Sequence, residues 1–274
     1  MRSNQNVINN QSVISSGFDR GAHLKSILWP LLFGAAFLVV WQAGIFHQLL
    51  DLKPFQLPVP LQILETLQKN LTKTLLDAKV TLSGALIGML LGSLLGFGIA
   101  ALATCLPKWG YGGMVIVSAF NAVPIVALSA IMNCWFTDGM YQKIGVVTIV
   151  CMAAMAINAY SGLNNLKPYS LDLMHTVAAS PFTIFRKLRF PNCLPYIFTA
   201  SKINIAAAII AAIISEYFAT STSGLGFGIK DHLRKAEMAM GWSYIVVASL
   251  AGVLFYCIII LVERKAIKWH ASQR

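Results

Sequence analysis

Charge is what this 274-residue sequence has least of: Asp, Glu, Lys and Arg make up 11% of it, against about 25% in ordinary soluble domains. With 57% hydrophobic residues, too little polar side chain remains to coat one or two water-facing globules, so lipid is the solvent for most of the surface. The same apolar content excludes disorder. Cysteine is sparse and odd in number. Cys105, Cys134, Cys151, Cys193 and Cys257 exclude a disulfide-stapled secreted fold and read as small hydrophobes in or near helices. A small-residue cleavage site is lacking after the first apolar run, so residues 1–26, rich in Asn, Gln and Ser, read as a polar tail before a retained span. A phosphate loop is lacking too: Gly224-Leu225-Gly226-Phe227-Gly228 is followed by Ile229-Lys230-Asp231, where Gly-Lys-Ser/Thr is needed, and reads as a loop. His23, His47, His175, His232 and His270 form no metal pair at helical spacing, so no metal site is expected. No span sets a Ser or Cys beside a base, which weighs against a membrane-embedded hydrolase.

What is present is a series of long apolar runs. A lipid-exposed backbone must satisfy its own hydrogen bonds, and no alternating ten-residue pattern suggests a barrel, so the fold class is all-α integral membrane. Six transmembrane helices fit, at Ile27 to Phe46, Val80 to Leu106, Tyr111 to Phe136, Ile144 to Leu163, Leu194 to Phe218 and Trp242 to Val262. Trp29, Trp109, Trp135 and Trp242 sit at span ends, as an aromatic belt requires. The formal charge of +11 comes from short basic clusters between the runs, which suit anionic lipid headgroups rather than nucleic acid. Basic residues are in excess in the loops that share a side with the termini, which predicts cytoplasmic N- and C-termini. The organisation is then a cytoplasmic tail at 1–26, a membrane domain at 27–262 with a cytoplasmic loop at 164–193, and a cytoplasmic tail at 263–274.

Several segments carry more specific signals. Gly84, Gly88, Gly92 and Gly96 recur at four-residue intervals and align into a groove that lets a second helix approach closely. After Leu57-Pro58-Val59-Pro60, the residues Leu61, Ile63, Leu64, Leu67 and Leu71 make one apolar helical face, either a surface helix or a plain connector. Pro124 is expected to kink the third span just beyond Asn121. Asn121, Asn133, Asn158 and Asn204 need partners in apolar spans; they line a path or bond neighbouring helices, with Asn133 the candidate for a path. Lys202 is placed to snorkel to the interface. Glu216, about 21 Å of helix away, either orders a gate by bonding backbone donors or sits at a solvated span end.

The loop 164–193 is the most informative stretch. Leu171, Met174, Val177 and Ala178 share a helical face, Ser180-Pro181 reads as an N-cap with Pro at the first helical position, and Phe182, Phe185 and Leu188 continue an apolar face beside Arg186, Lys187 and Arg189. Pro191 and Pro195 are expected to end this second helix and begin the next span. On periodicity alone it is equally an interfacial hairpin held by lipid.

Asp172-Leu173-Met174, Ala178 and Leu188-Arg189-Phe190-Pro191 fall at the spacings of a cytoplasmic motif: Glu-Ala-Ala, three residues, Gly, nine residues, Ile-x-Leu-Pro. In this the chain resembles the permease subunits of bacterial ATP-binding-cassette (ABC) importers, with a MetI-like six-helix fold. Leu57-Pro58-Val59-Pro60, the glycine ladder after Thr81-Leu82, Val123 to Leu128, Trp135-Phe136, and Ser215-Glu216 followed by Gly224-Leu225-Gly226 resemble the nitrate, sulfonate and taurine branch. Ala178 stands where the motif has Gly; a positive φ there penalises Ala by about 1 kcal/mol or more. The resemblance implies an importer subunit in the bacterial inner membrane, a homodimer with its translocation path at the interface. It implies two ATPase subunits, which carry ATP and Mg, and an extracytoplasmic substrate-binding protein. No cofactor is implied in this chain. It also implies that Asp172, Met174, His175, Val177, Ala178, Ala179, Ser180 and Pro181 dock on the ATPase and that the glycine-rich stretch lies at the outer end. From the residues themselves, Pro124, Asn133, Asn204 and Glu216 are the candidates for the gate or path. Arg186, Lys187 and Arg189 pair with the ATPase or with lipid. The alternative is an ion-coupled secondary transporter, for which the paired repeats and deep acidic site are not evident.

Overall fold

The structure, a computed structural model, describes residues 20–53, 55–219 and 221–267. The first 19 residues of the polar tail, the end of the C-terminal tail with His270, and the side chains of His23 and Trp109 lie outside the described residues. The chain divides into two compact units, 1–62 and 63–274.

In the first unit, α1 (Arg20–Gln42) is followed by α2 (Ile45–Leu49). Between them Gly44 has φ 74°, a left-handed conformation that ends the helix before Phe46, where the span was expected to reach. The apolar part, Leu28–Gln42, is about 22 Å long against a hydrocarbon core of about 30 Å. Phe37 packs against Trp41 and Phe46 at ring separations of 6.3 and 5.3 Å.

The second unit is a helical bundle. It starts within α3 (Pro60–Lys69) and continues through α4 (Leu71–Cys105), α5 (Pro107–Ala119), a 3-10 turn (Phe120–Ala122), α6 (Ile125–Trp135) and α7 (Gly139–Asn164). Next come α8 (Ser170–Thr176), α9 (Pro181–Ile184), a π turn (Phe185–Arg189), α10 (Phe190–Phe218), α11 (Leu225–Arg234) and α12 (Met238–Ala266). Among the described residues, four helices are long and apolar enough to cross a bilayer: α4, α7, the run Pro181–Phe218 and α12. The pair Gly110–Ala122 and Ile125–Trp135, bent by 95°, makes a fifth if it is one span.

Three expectations are corrected. The third span is broken rather than kinked: Val123 (ψ 122°) and Pro124 (ψ 125°) are both extended, because the proline ring disfavours the helical region for the residue before it. Neither proline interrupts the run Pro181–Phe218: Pro191 falls in the first turn of α10, where the next span was expected to begin, and Pro195 lies inside that helix. The wider π turn, with Phe190 N–H bonded to Phe185 O, accommodates a residue that lacks a donor and clashes in an ordinary turn. The apolar face after Pro60 is split, because Asn70 (φ −116°, ψ 19°) separates α3 from α4. Ile63 and Leu67 are buried while Leu61, Leu64 and Leu71 are exposed.

The four ladder glycines are buried and face α7. A Cβ at Gly84 would stand 2.7 Å from the Lys143 side chain, and one at Gly88 2.7 Å from Val147 Cβ. At Gly92 and Gly96 it would run into the carbonyls of Thr148 and Met152. The backbones are close enough for Thr148 Oγ1 to donate to Gly88 O at 3.3 Å. Around this pair, Met89, Leu128, Met132, Val146, Val147, Ile205 and Ile209 form the main core.

Candidate functional site

Two places stand out, at opposite ends of α7 and α10. The first is a buried ionic cluster. Lys143, in the first turns of α7, and Glu216, near the end of α10, are 2% and 1% exposed and form an ion pair. Thr81 Oγ1 lies 2.8 Å from Glu216 Oε2, and Gly226 N–H donates to the same oxygen at 2.9 Å. Lys143 Nζ also donates to Val80 O at 2.9 Å. One turn before Thr81, Asp77 accepts from Gly224 N–H at 3.1 Å and from the Tyr244 hydroxyl at 2.8 Å.

The cluster caps a helix from outside it. The first N–H groups of α11 have no partner within the helix, and Gly224, as N-cap, has no side chain to offer. Asp77, Thr81 and Glu216 accept from Gly224, Leu225 (2.7 Å) and Gly226 in turn, so α4 and α10 cap α11 in trans. The glycine-rich stretch is therefore the start of a helix and not the expected loop. Its glycines serve close approach: a Cβ on Gly224 (φ 108°) would enter the Glu216 carboxylate, one on Gly226 the Ile213 carbonyl, and one on Gly228 the Tyr244 ring. Beyond, His232 bonds Glu237 at 2.6 Å and packs on Tyr244. On the exposed face, a hydrogen bond from Lys235 holds the Asp231 carboxyl below its ordinary range, a pairing of little energetic weight at the surface.

The second place is the loop after α7. Ser180 caps α9, its hydroxyl accepting from Thr183 N–H at 3.3 Å, with Pro181 at the first position. Helix α8 stops at Thr176, so Val177 is its cap rather than part of its face. Ala178 N–H bonds His175 O at 2.9 Å and Ala179 N–H bonds Met174 O at 3.0 Å. That pair of bonds defines a Schellman turn, whose left-handed position glycine favours. Ala178 holds it with φ 51°. Asp172, His175 and Pro181 are exposed, and Met174 and Ala179 half-buried. Arg189 turns back onto α7: its Nη1 donates to Leu163 O at 2.9 Å and to Asn164 Oδ1 at 3.0 Å.

The remaining candidates are dispersed. Pro124 marks the 95° bend and is exposed, and Asn133 is half-buried on α6. Asn204 is fully buried, its Nδ2 donating to Cys151 O at 3.1 Å, roughly 18 Å along α10 from Glu216. Asn158 bonds Ala154 O at 2.8 Å within its own helix. Lys202 pairs with Glu263 at 2.7 Å instead of snorkelling alone. Lys143, Asp77, Thr81 and Tyr244 are cluster members that sequence reasoning missed. The four-residue step from Asp77 to Thr81, beside the glycine ladder, was the available signal.

The profile of the family described as "binding-protein-dependent transport system inner membrane component" matches residues 84–268. The chain belongs to that family. This permease is 25% identical over 247 residues to the formylaminopyrimidine transport permease protein ThiX of Halalkalibacterium halodurans, covering 90% of this chain and 97% of that one. It is 24% identical over 254 residues to the taurine transport system permease protein TauC of Escherichia coli K12, covering 87% and 88%. Among solved structures, an inward-facing MetNI methionine ABC transporter chain matches with a TM-score of 0.60 at 15% identity, covering 72% of this chain and 96% of that chain. A bacterial ABC transporter chain involved in alginate import matches with a TM-score of 0.61 at 12% identity, covering 97% and 100%. The permease is thus a multi-pass inner-membrane subunit of a binding-protein-dependent ABC importer. It works with ATPase and binding-protein partners and is not itself an ATPase.

Proposed function

We propose that the permease forms the translocation path for a small solute handed over by its binding protein: nitrate, a sulfonate, taurine or a related small molecule. It does so as a homodimer with two ATPase subunits. Each copy crosses the membrane six times, with α1 as one crossing and the α5/α6 pair as another, and both termini are cytoplasmic. ATP and Mg belong to the ATPase.

The observation that carries this reading is the surface of the loop 164–193. Tyr169, Leu173, Val177 and Phe182 are 82%, 67%, 66% and 71% exposed, a concentration of large apolar side chains that supports docking of a partner there. Asp172 to Pro181, with the small Ala178, Ala179 and Ser180 at the turn, dock in a groove of the ATPase, and closure of the ATPase dimer pulls on α7 and α10. The shift requires docking that differs between the two access states. At the other end Glu216 orders the outer gate by holding the start of α11. Purification through a tag on this chain tests the reading. The expected result is co-purification of an ATPase whose hydrolysis rises with one loaded binding protein from a panel; a chain that purifies alone and responds to an ion gradient contradicts it.

A further inference from the structure

The last carbonyls of a helix lack intrahelical partners, and at the end of α7 two side chains from the far side of the loop supply them. Asn192 Nδ2 donates to Gly162 O at 2.8 Å and to Asn165 O at 3.0 Å. Arg189 donates to Leu163 O and Asn164 Oδ1. Asn164 Nδ2 in turn bonds Thr104 Oγ1 at 3.1 Å, near the end of α4. The interface is tight here as well: a Cβ on Gly162 would stand 2.9 Å from the Tyr196 ring, and Cys193 Sγ lies 3.4 Å from Ala159 O. Thus 24 residues of chain leave α7 at Asn164 and return at Arg189 to a base closed by four hydrogen bonds from two side chains three residues apart. A loop hinged freely at its base would swing when pulled. A loop closed at its base moves its two parent helices together.

We propose that Arg189 and Asn192 form a clamp that makes α7 and α10 one mechanical body, so that a pull on the loop reaches the Lys143–Glu216 cluster at their other ends. They are positioning residues and touch neither nucleotide nor solute. The clamp rests on the ATPase-docking reading above. Energetic coupling over such a distance requires a connected element with two arrangements, and the clamped helix pair is that element. Lysine is a poor replacement for Arg189: both bonds leave Nη1, and the lysine Nζ, one bond nearer the backbone, falls short of that position.

The test uses the complex of this chain with its co-purified ATPase in nanodiscs, the native cysteines replaced and Thr222→Cys added beside the cluster. The rate of labelling by a water-soluble maleimide is measured with and without ATP and vanadate. With Arg189 and Asn192 present, nucleotide changes the rate. In Arg189→Ala, Arg189→Lys and Asn192→Ala that change falls by about five-fold or more, while basal ATP hydrolysis and assembly with the ATPase persist. A purely structural role lowers the melting temperature and leaves the nucleotide response of intact complexes alone. Should Arg189→Ala fail to assemble, the two milder variants decide. An undiminished response in assembled Arg189→Lys and Asn192→Ala complexes overturns the clamp and spares the docking reading; a parent complex that ignores nucleotide overturns both.

Discussion

The two ends of α7 and α10 solve opposite problems. At the cluster end, charge is drawn inside: Lys143 and Glu216 are buried together, and one carboxylate oxygen each of Glu216 and Asp77 holds the start of α11 while the other binds Lys143 or Tyr244. At the loop end, apolar side chains are pushed outside and an alanine occupies a left-handed turn. A buried pair is costly to break because the surviving charge has no solvent, so that end is stiff. In the docking reading proposed above, the loop end leaves its apolar surface for the ATPase to cover. On that reading the helix pair is a lever with a stiff head and a gripped handle.

Substitutions that break the contrast should act unequally. The largest effect is expected for Glu216→Ala, which strands Lys143 in the interior and costs about 3–5 kcal/mol, read as a fall in the melting temperature of the detergent-solubilised protein. The double variant Lys143→Met, Glu216→Leu should recover much of that loss, since a buried pair is often replaceable by apolar residues of similar volume. Gly92→Ala comes next: its Cβ meets the Thr148 carbonyl, and separating α4 from α7 should cost about 1–3 kcal/mol by the same measurement. Thr81→Val removes the acceptor of Leu225 N–H and leaves a buried donor unmet, worth about 1–3 kcal/mol; faster hydrogen exchange confined to the start of α11 would report it. The smallest effect belongs to the loop. Ala178→Gly relieves the positive φ and should raise stability by about 1 kcal/mol, and Ala236→Gly, at φ 59°, serves as a control at the other end.

The sequence was legible where a feature depends on neighbours a few positions away. The glycine ladder declares its groove through its spacing, and Ser180-Pro181 announces a helix start within three residues. It was illegible where distant segments meet. Glu216 invited suspicion as an ionisable group in a span, but Lys143 lies 73 positions away, at a span edge where a lysine is ordinary. Gly226 and Gly228 looked like loop residues because the Ile213 carbonyl and Tyr244 ring that exclude a side chain there come from α10 and α12. Pro191 misled for the opposite reason: local rules forbid it in a regular turn, and the π turn that admits it has no sequence signature. Arg189 read as one of three loop cations, and only the folded chain shows that it alone of them turns back onto α7.

Crosslinking from Ala179→Cys in native membranes tests the central claim most directly. If the loop is a handle gripped by an ATPase, a short bifunctional reagent captures that ATPase, with a yield that changes on adding ATP and vanadate. Capture of phospholipid alone, with solute uptake undisturbed by deletion of residues 169–180, contradicts it.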